Sequence, residues 1–199
     1  AALASIAIAL GRATGKLDEA GERALVAGLA ATPGAIAEAL KAEPEIEAIA
    51  HRVARARDVL FLGRGLSYVL ALEGALKFKE LTYLHAEGYP AGELKHGPIA
   101  LVDEDVPVIV IAPDDGVREK TASNLQEVAA RGGRIVLIGD EAAAGGVPLE
   151  ARIAPPACAA DFTPLVGVVA LQLLAYHAAV FMGKDADQPR NLAKSVTVE

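Results

Sequence analysis

Cysteine is nearly missing from this 199-residue chain, Cys158 being the single one. No intramolecular disulfide can form, so a reducing cytoplasm is the expected compartment. Cys158 lies between Pro155-Pro156 and Asp161 with no basic neighbour. It reads as a small buried or loop thiol, not a nucleophile. Basic clusters are missing too. The net charge is -7 and no Lys/Arg stripe exists, so no nucleic-acid partner is expected, although a few local donors can still hold a small anion. His85 and His96 are not at the helical spacing of metal ligands, and the lone cysteine adds none, so no metal is expected. The apolar start, Ala1 to Leu10, lacks both the positive flank of a signal peptide and an initiator methionine. It reads as the inside of a helix, and a fragment of a longer protein is expected. One uncharged stretch, Phe162 to Gly183, is long enough to span a bilayer. Pro164, Gln172, Tyr176 and His177 interrupt it and no basic cluster flanks it, so it is expected to be a helix buried in a core or subunit interface, with no membrane partner.

What is present is apolar: 53% hydrophobic against 23% charged residues, the balance of a well-packed globule. The first 56 residues read as helices, with Gly15, Gly28, Pro33 and Pro44 as plausible breaks or first-turn positions. After Arg57 the pattern changes. Asp58 to Leu62, Val106 to Ala112 and Arg134 to Gly139 are short apolar runs that read as buried strands. Weaker strands are expected near Leu84 to Glu87 and Glu150 to Ala154, with helices over Ser67 to Thr82 and Asp115 to Arg131. Strands alternating with helices predict an α/β fold: a five-stranded parallel sheet with helices on both faces, preceded by a helical arm. The expected divisions are an arm over 1–40, a domain over 41–184 and a tail over 185–199. A faint repeat pairs Ala2-Leu3 and Gly15-Lys16 with Ala170-Leu171 and Gly183-Lys184 at equal spacing. It predicts that residues 1–16 are the last helix of a preceding copy of the same domain.

Three stretches carry residues suited to chemistry. Glu73, Lys77 and Glu80 are spaced by four and three residues, so they share one face of the Ser67–Thr82 helix. Such a stripe is ordinarily solvated; placed at a strand-end cleft, it is an acid–base cluster whose members tune one another. The loop-like segment His85 to Pro98 packs two histidines, two glutamates, a lysine and three glycines together. Its Lys95-His96-Gly97-Pro98 turn holds a group that titrates near neutrality. The polar tail carries Lys194 between Ala193 and Ser195, and a buried lysine of this kind can form a Schiff base with a carbonyl substrate. The Gly63-Arg64-Gly65-Leu66-Ser67 turn, between a strand and a helix, is a candidate site edge.

Four stretches together resemble the glucosamine-6-phosphate synthases, the isomerising glutamine:fructose-6-phosphate aminotransferases. They are Phe61 to Gly65, Ala71 to Glu80, Ala91 to Pro98 and Asp187 to Glu199, in family order. The resemblance implies the C-terminal part of a tandem of sugar-isomerase (SIS) domains, each a flavodoxin-like sheet. It implies conversion of fructose 6-phosphate plus glutamine-derived ammonia to glucosamine 6-phosphate, without a cofactor. By the same resemblance Lys194 forms the Schiff base, Glu80 moves the proton between C1 and C2, and Lys77 supports the reacting hydroxyls. His96 opens the sugar ring in the neighbouring subunit of a homodimer, and Ala193, Glu73 and Arg64 contact substrate. The expected companions are a preceding SIS domain and a glutaminase domain of the same polypeptide. Neither the glutaminase nucleophile nor the family's Ser/Thr-rich phosphate loop is in this sequence. Its serines are Ser5, Ser67, Ser123 and Ser195, and the equivalent turn reads Ala112-Pro113-Asp114-Asp115-Gly116. Little or no synthase activity is therefore expected of these residues alone. Two alternatives remain at this stage: a non-catalytic sugar-phosphate-binding SIS module and a ketose-amine deaminase.

Overall fold

The computed structural model describes residues 1–113 and 116–192. Five strands, β1 (Asp58–Gly63), β2 (His85–Pro90), β3 (Pro107–Ala112), β4 (Arg134–Gly139) and β5 (Ala151–Ile153), form one sheet in the order β2-β1-β3-β4-β5. All four pairings are parallel. This is the doubly wound order with its reversal between β1 and β3. Parallel strands covered on both faces read as continuous apolar runs, and β3 is buried at all six positions.

Alternation along the strands divides the core in two. Val59, Phe61, Ile109, Ile111, Val136 and Ile138 face α3 (Glu43–Val53), α4 (Leu66–Thr82) and α6 (Thr163–Phe181). Leu60, Leu62, Val108, Val110, Ile135 and Leu137 face Leu125 and Val128 of α5 (Arg118–Ala129) and the short helical turns at Ala91–His96 and Glu141–Ala144. The expected α/β sheet with helices on both faces is therefore what forms. By length and composition, the helix Glu19–Leu40 and the stretch Ala160–Phe181 are each long and apolar enough to cross a bilayer. More than half of the latter is buried against the rest of the chain, where α6 serves as the central core helix.

Two sequence expectations need correction. Gly28 and Pro33 do not break a helix; both lie inside α2 (Glu19–Leu40), which follows α1 (Ala2–Ala13) across the Gly15 turn. A proline inside a helix costs about 3 kcal/mol, but tertiary packing overrides that propensity. Here α2 docks on α6 and on the Ala160–Phe162 turn. Gly28 is the point of closest approach: a Cβ there would stand 3.0 Å from both Ala159 Cβ and Phe162 Cε2. The second concerns the extent of the strand expected near Leu84 to Glu87: it forms as the edge strand β2 but runs from His85 to Pro90, into the stretch that reads as loop-like, in register with β1 from Asp58–His85 to Gly63–Pro90. An edge strand needs only one paired side and tolerates polar side chains.

Candidate active site

Helix α4 leaves the carboxyl end of β1, runs back along the sheet and delivers the chain to the start of β2. Its last turns therefore lie at the amino ends of the strands. Gly74, Ala75 and Phe78 are buried against the core, which turns Glu73, Lys77 and Glu80 together onto the flank, each half-buried. Lys77 Nζ donates to Glu80 Oε2 at 2.6 Å. The two side chains are 34% and 25% exposed, so this pair is shielded more than a solvated surface stripe would be. The hydrogen bond to Glu80 holds the Lys77 ammonium above the ordinary lysine range. Partial burial opposes this, and the charges of Glu80 and Glu73 reinforce it.

A lysine raised in this way stabilises the fold fully below pH 10.5, its ordinary value, and loses that contribution as pH rises through the raised value. Thermal unfolding of the native chain and of Lys77→Met from pH 8 to 12 should therefore show a difference that shrinks above pH 10.5. A difference that grows with pH would contradict the pairing.

Beside this pair lies a cavity of about 580 Å³, lined by Glu80, Tyr83, His85 and the chain segment Arg190 to Leu192, among others. Tyr83 caps α4 and joins the two walls: its phenol oxygen accepts the backbone N–H of Arg190 at 2.8 Å. Lys194 and Ala193, and the Asp114-Asp115 turn, lie outside the described residues. The segment leading to Lys194 nevertheless forms the wall opposite Glu80.

The other predicted residues sit at the opposite end of the sheet. His96 ends the turn that follows β2, at the carboxyl ends of the strands. The six-residue strand between the two ends spans roughly 20 Å, so one chain does not bring His96 to its own Glu80. His96 points outward, 74% exposed, with Glu93 Oε2 3.8 Å from its Nε2. The turn beneath it is held firmly. Lys95 Nζ pairs with Glu127 Oε1 of α5 at 2.9 Å. Gly97, at φ 147° and ψ -56°, has a conformation that glycine alone adopts readily. Arg64 donates through Nε to Asn124 Oδ1 at 3.1 Å, and Asn124 is itself buried. Its guanidinium passes so close to Gly92 that a Cβ there would stand 2.9 Å from Nη2. Arg64 thus braces the His96 turn against α5.

Residue types alone did not single out Asn124, Glu127 or Tyr83; the only signal was the density of charged residues around them. The acid–base pair stands at the amino ends of the strands, away from the Gly63–Ser67 turn at their carboxyl ends, because α4 is long enough to run the full height of the sheet. Among the described residues, no group of three His, Cys, Asp or Glu is arranged to hold a metal.

The family model described as "SIS domain" matches residues 52–182. A glutamine–fructose-6-phosphate aminotransferase [isomerizing] of Bradyrhizobium diazoefficiens is 60% identical over 199 residues, covering 99% of this chain and 33% of that protein. The chain thus spans about a third of the length of the curated relatives it matches. Among solved structures, the C-terminal domain of glucosamine-fructose-6-phosphate aminotransferase from Francisella tularensis superposes with a TM-score of 0.89 at 40% identity, over 94% of this chain and 53% of that one. A glucosamine-6-phosphate deaminase from Thermotoga maritima gives 0.57 at 26% identity, over 80% and 48%. With the family model covering the sheet and its helices and the fold superposing on that relative, the chain belongs to the SIS domain family.

Proposed function

We propose that this chain supplies the C-terminal sugar-isomerase module of an isomerising glutamine–fructose-6-phosphate aminotransferase. It acts within a longer cytoplasmic polypeptide, alongside a preceding SIS domain and a glutaminase domain, as a homodimer and without a cofactor. The observation that carries the reading is Glu80, half-buried and paired with Lys77, on a cavity also lined by Arg190 to Leu192, the residues that precede Lys194 in sequence.

Lys194 adds to the C2 carbonyl of open-chain fructose 6-phosphate and expels water, giving a Schiff base. Ammonia then displaces the lysine from C2. Glu80 takes a proton from C1 and returns it to C2, while the proton of the C1 hydroxyl passes to the C2 imine nitrogen, leaving the aldehyde and the amine of glucosamine 6-phosphate. Lys77 holds the Glu80 carboxylate by its hydrogen bond and faces the hydroxyls, with Glu73 beside it. His96, exposed and remote from its own Glu80, serves ring opening in the site of a second copy of this chain. The apolar residues that α4 leaves exposed, Leu66, Val69, Leu72 and Leu76, and Tyr176, Val180 and Phe181 on α6, support such a partner or a neighbouring domain. The substrate phosphate is gripped by the preceding domain. The weaker likeness to a deaminase leaves that activity second.

The test is borohydride reduction in the presence of fructose 6-phosphate, followed by mass spectrometry of the polypeptide that carries this chain. A sugar adduct is expected on Lys194 and none in Lys194→Arg, whose guanidinium is not a usable nucleophile. An adduct that persists in the arginine variant would assign the Schiff base elsewhere.

A further inference from the structure

Tyr83 occupies a position that glycine ordinarily fills. It closes α4 in the left-handed conformation, φ 66° and ψ 11°, with its N–H on the Lys79 carbonyl at 3.0 Å. Among the described residues only Tyr83 and Asn191 combine a side chain with a positive φ. A bulky side chain held there is strained, and such strain persists where other contacts over-determine it. Those contacts all reach the same segment. The phenol oxygen accepts the Arg190 N–H at 2.8 Å. The Arg190 guanidinium lies over the ring at 4.2 Å, and the Lys184 ammonium stands 5.4 Å from its centroid. Asn191, the other left-handed residue, follows immediately, in a conformation that asparagine tolerates. The strained turn at Tyr83 therefore meets this segment on the cavity that Glu80 lines.

We propose that Tyr83 is a positioning residue: it fixes the Arg190–Leu192 segment against the cavity that Glu80 lines. This rests on the function proposed above. The helix cap alone does not need a tyrosine, since glycine would make the same turn without strain. The side chain's work is done on Arg190. Asp185, which accepts the N–H groups of Asp187 and Gln188, shapes the segment locally but does not tie it to α4.

Two variants separate the roles. Tyr83→Phe keeps the ring and removes the acceptor. Tyr83→Gly removes every contact and relaxes the cap. In the polypeptide that carries this chain, trypsin cleavage of the Arg190–Asn191 bond should accelerate about fivefold in the phenylalanine variant, the worth of one net hydrogen bond. It should accelerate on the order of twenty- to fiftyfold in the glycine variant, where the cation–π contact is lost as well. The kcat of amino-sugar formation should fall in the same order with KM within about twofold, because the positioned segment walls the cavity of the base Glu80 and the phosphate is held elsewhere. The melting temperature of Tyr83→Gly should not fall, whereas a merely structural role would lower it. Unchanged cleavage at Arg190–Asn191 in Tyr83→Gly overturns the anchor. Faster cleavage with unchanged kcat, in a polypeptide that Glu80→Gln inactivates, overturns the positioning and leaves the proposed function standing. Full activity of Glu80→Gln removes the proposed function, and the positioning role of Tyr83 falls with it, whatever the cleavage rates.

Discussion

Replacing Glu80 with glutamine should lower synthase turnover by about 10²–10⁴-fold, the usual worth of a positioned general base. The amide matches the carboxylate in shape but cannot accept and return the proton between C1 and C2. Reduction should still trap the sugar on Lys194, because Schiff-base formation precedes that transfer. Trapping retained and turnover lost is thus the distinguishing result. The melting temperature should change little, since the Lys77–Glu80 pair is partly exposed and pairs of that kind contribute little to stability. A loss of less than about tenfold in turnover would mean that another group carries the proton. The arrangement supports Glu80 in that role: it is half-buried, it lines the cavity, and the Lys77 ammonium 2.6 Å away fixes its carboxylate in place.

Phe78→Ala should have the largest effect on stability. Phe78 is fully buried two residues before Glu80, with its ring 5.9 Å from that of Phe61 on β1. Truncating a buried phenylalanine costs about 3–5 kcal/mol, through lost transfer energy and the cavity left behind. Against a typical total of about 5–15 kcal/mol, that is a large share. For a chain of this length it corresponds to a fall in melting temperature of roughly 6–20 °C. Thermal unfolding followed by circular dichroism measures it. A fall of under about 3 °C would show that the packing of α4 on β1 relaxes around the gap. The same residue that fixes α4 to the sheet also fixes the orientation of Lys77 and Glu80. Turnover should therefore suffer even at temperatures where Phe78→Ala remains folded.

Much of this molecule was legible in one dimension. Strands β1, β3 and β4 announce themselves as apolar runs because both faces of a parallel sheet are buried, and α6 does so because it is the core helix that α2, α3 and α4 pack against. The spacing of Glu73, Lys77 and Glu80 determines that they share a face, since 3.6 residues make a turn. Their chemical types, and the likeness of four stretches to one enzyme family, determined which chemistry to look for.

Other features were settled only by packing. Whether Pro33 breaks a helix depends on what the helix rests against, and here α6 and Phe162 outweigh its intrinsic penalty. Whether His85 to Pro90 is loop or strand depends on β1 offering a free edge. Which ends of the sheet carry Glu80 and His96 depends on the direction in which α4 returns, and the order of the motifs does not contain that distance. Nor does any residue pattern reveal that Tyr83 turns left-handed and meets Arg190, because that contact joins positions 107 residues apart. Local sequence sets periodicity and residue chemistry through short-range sterics and burial. Contacts between distant segments are decided by how whole elements pack, and the candidate site is built from such contacts.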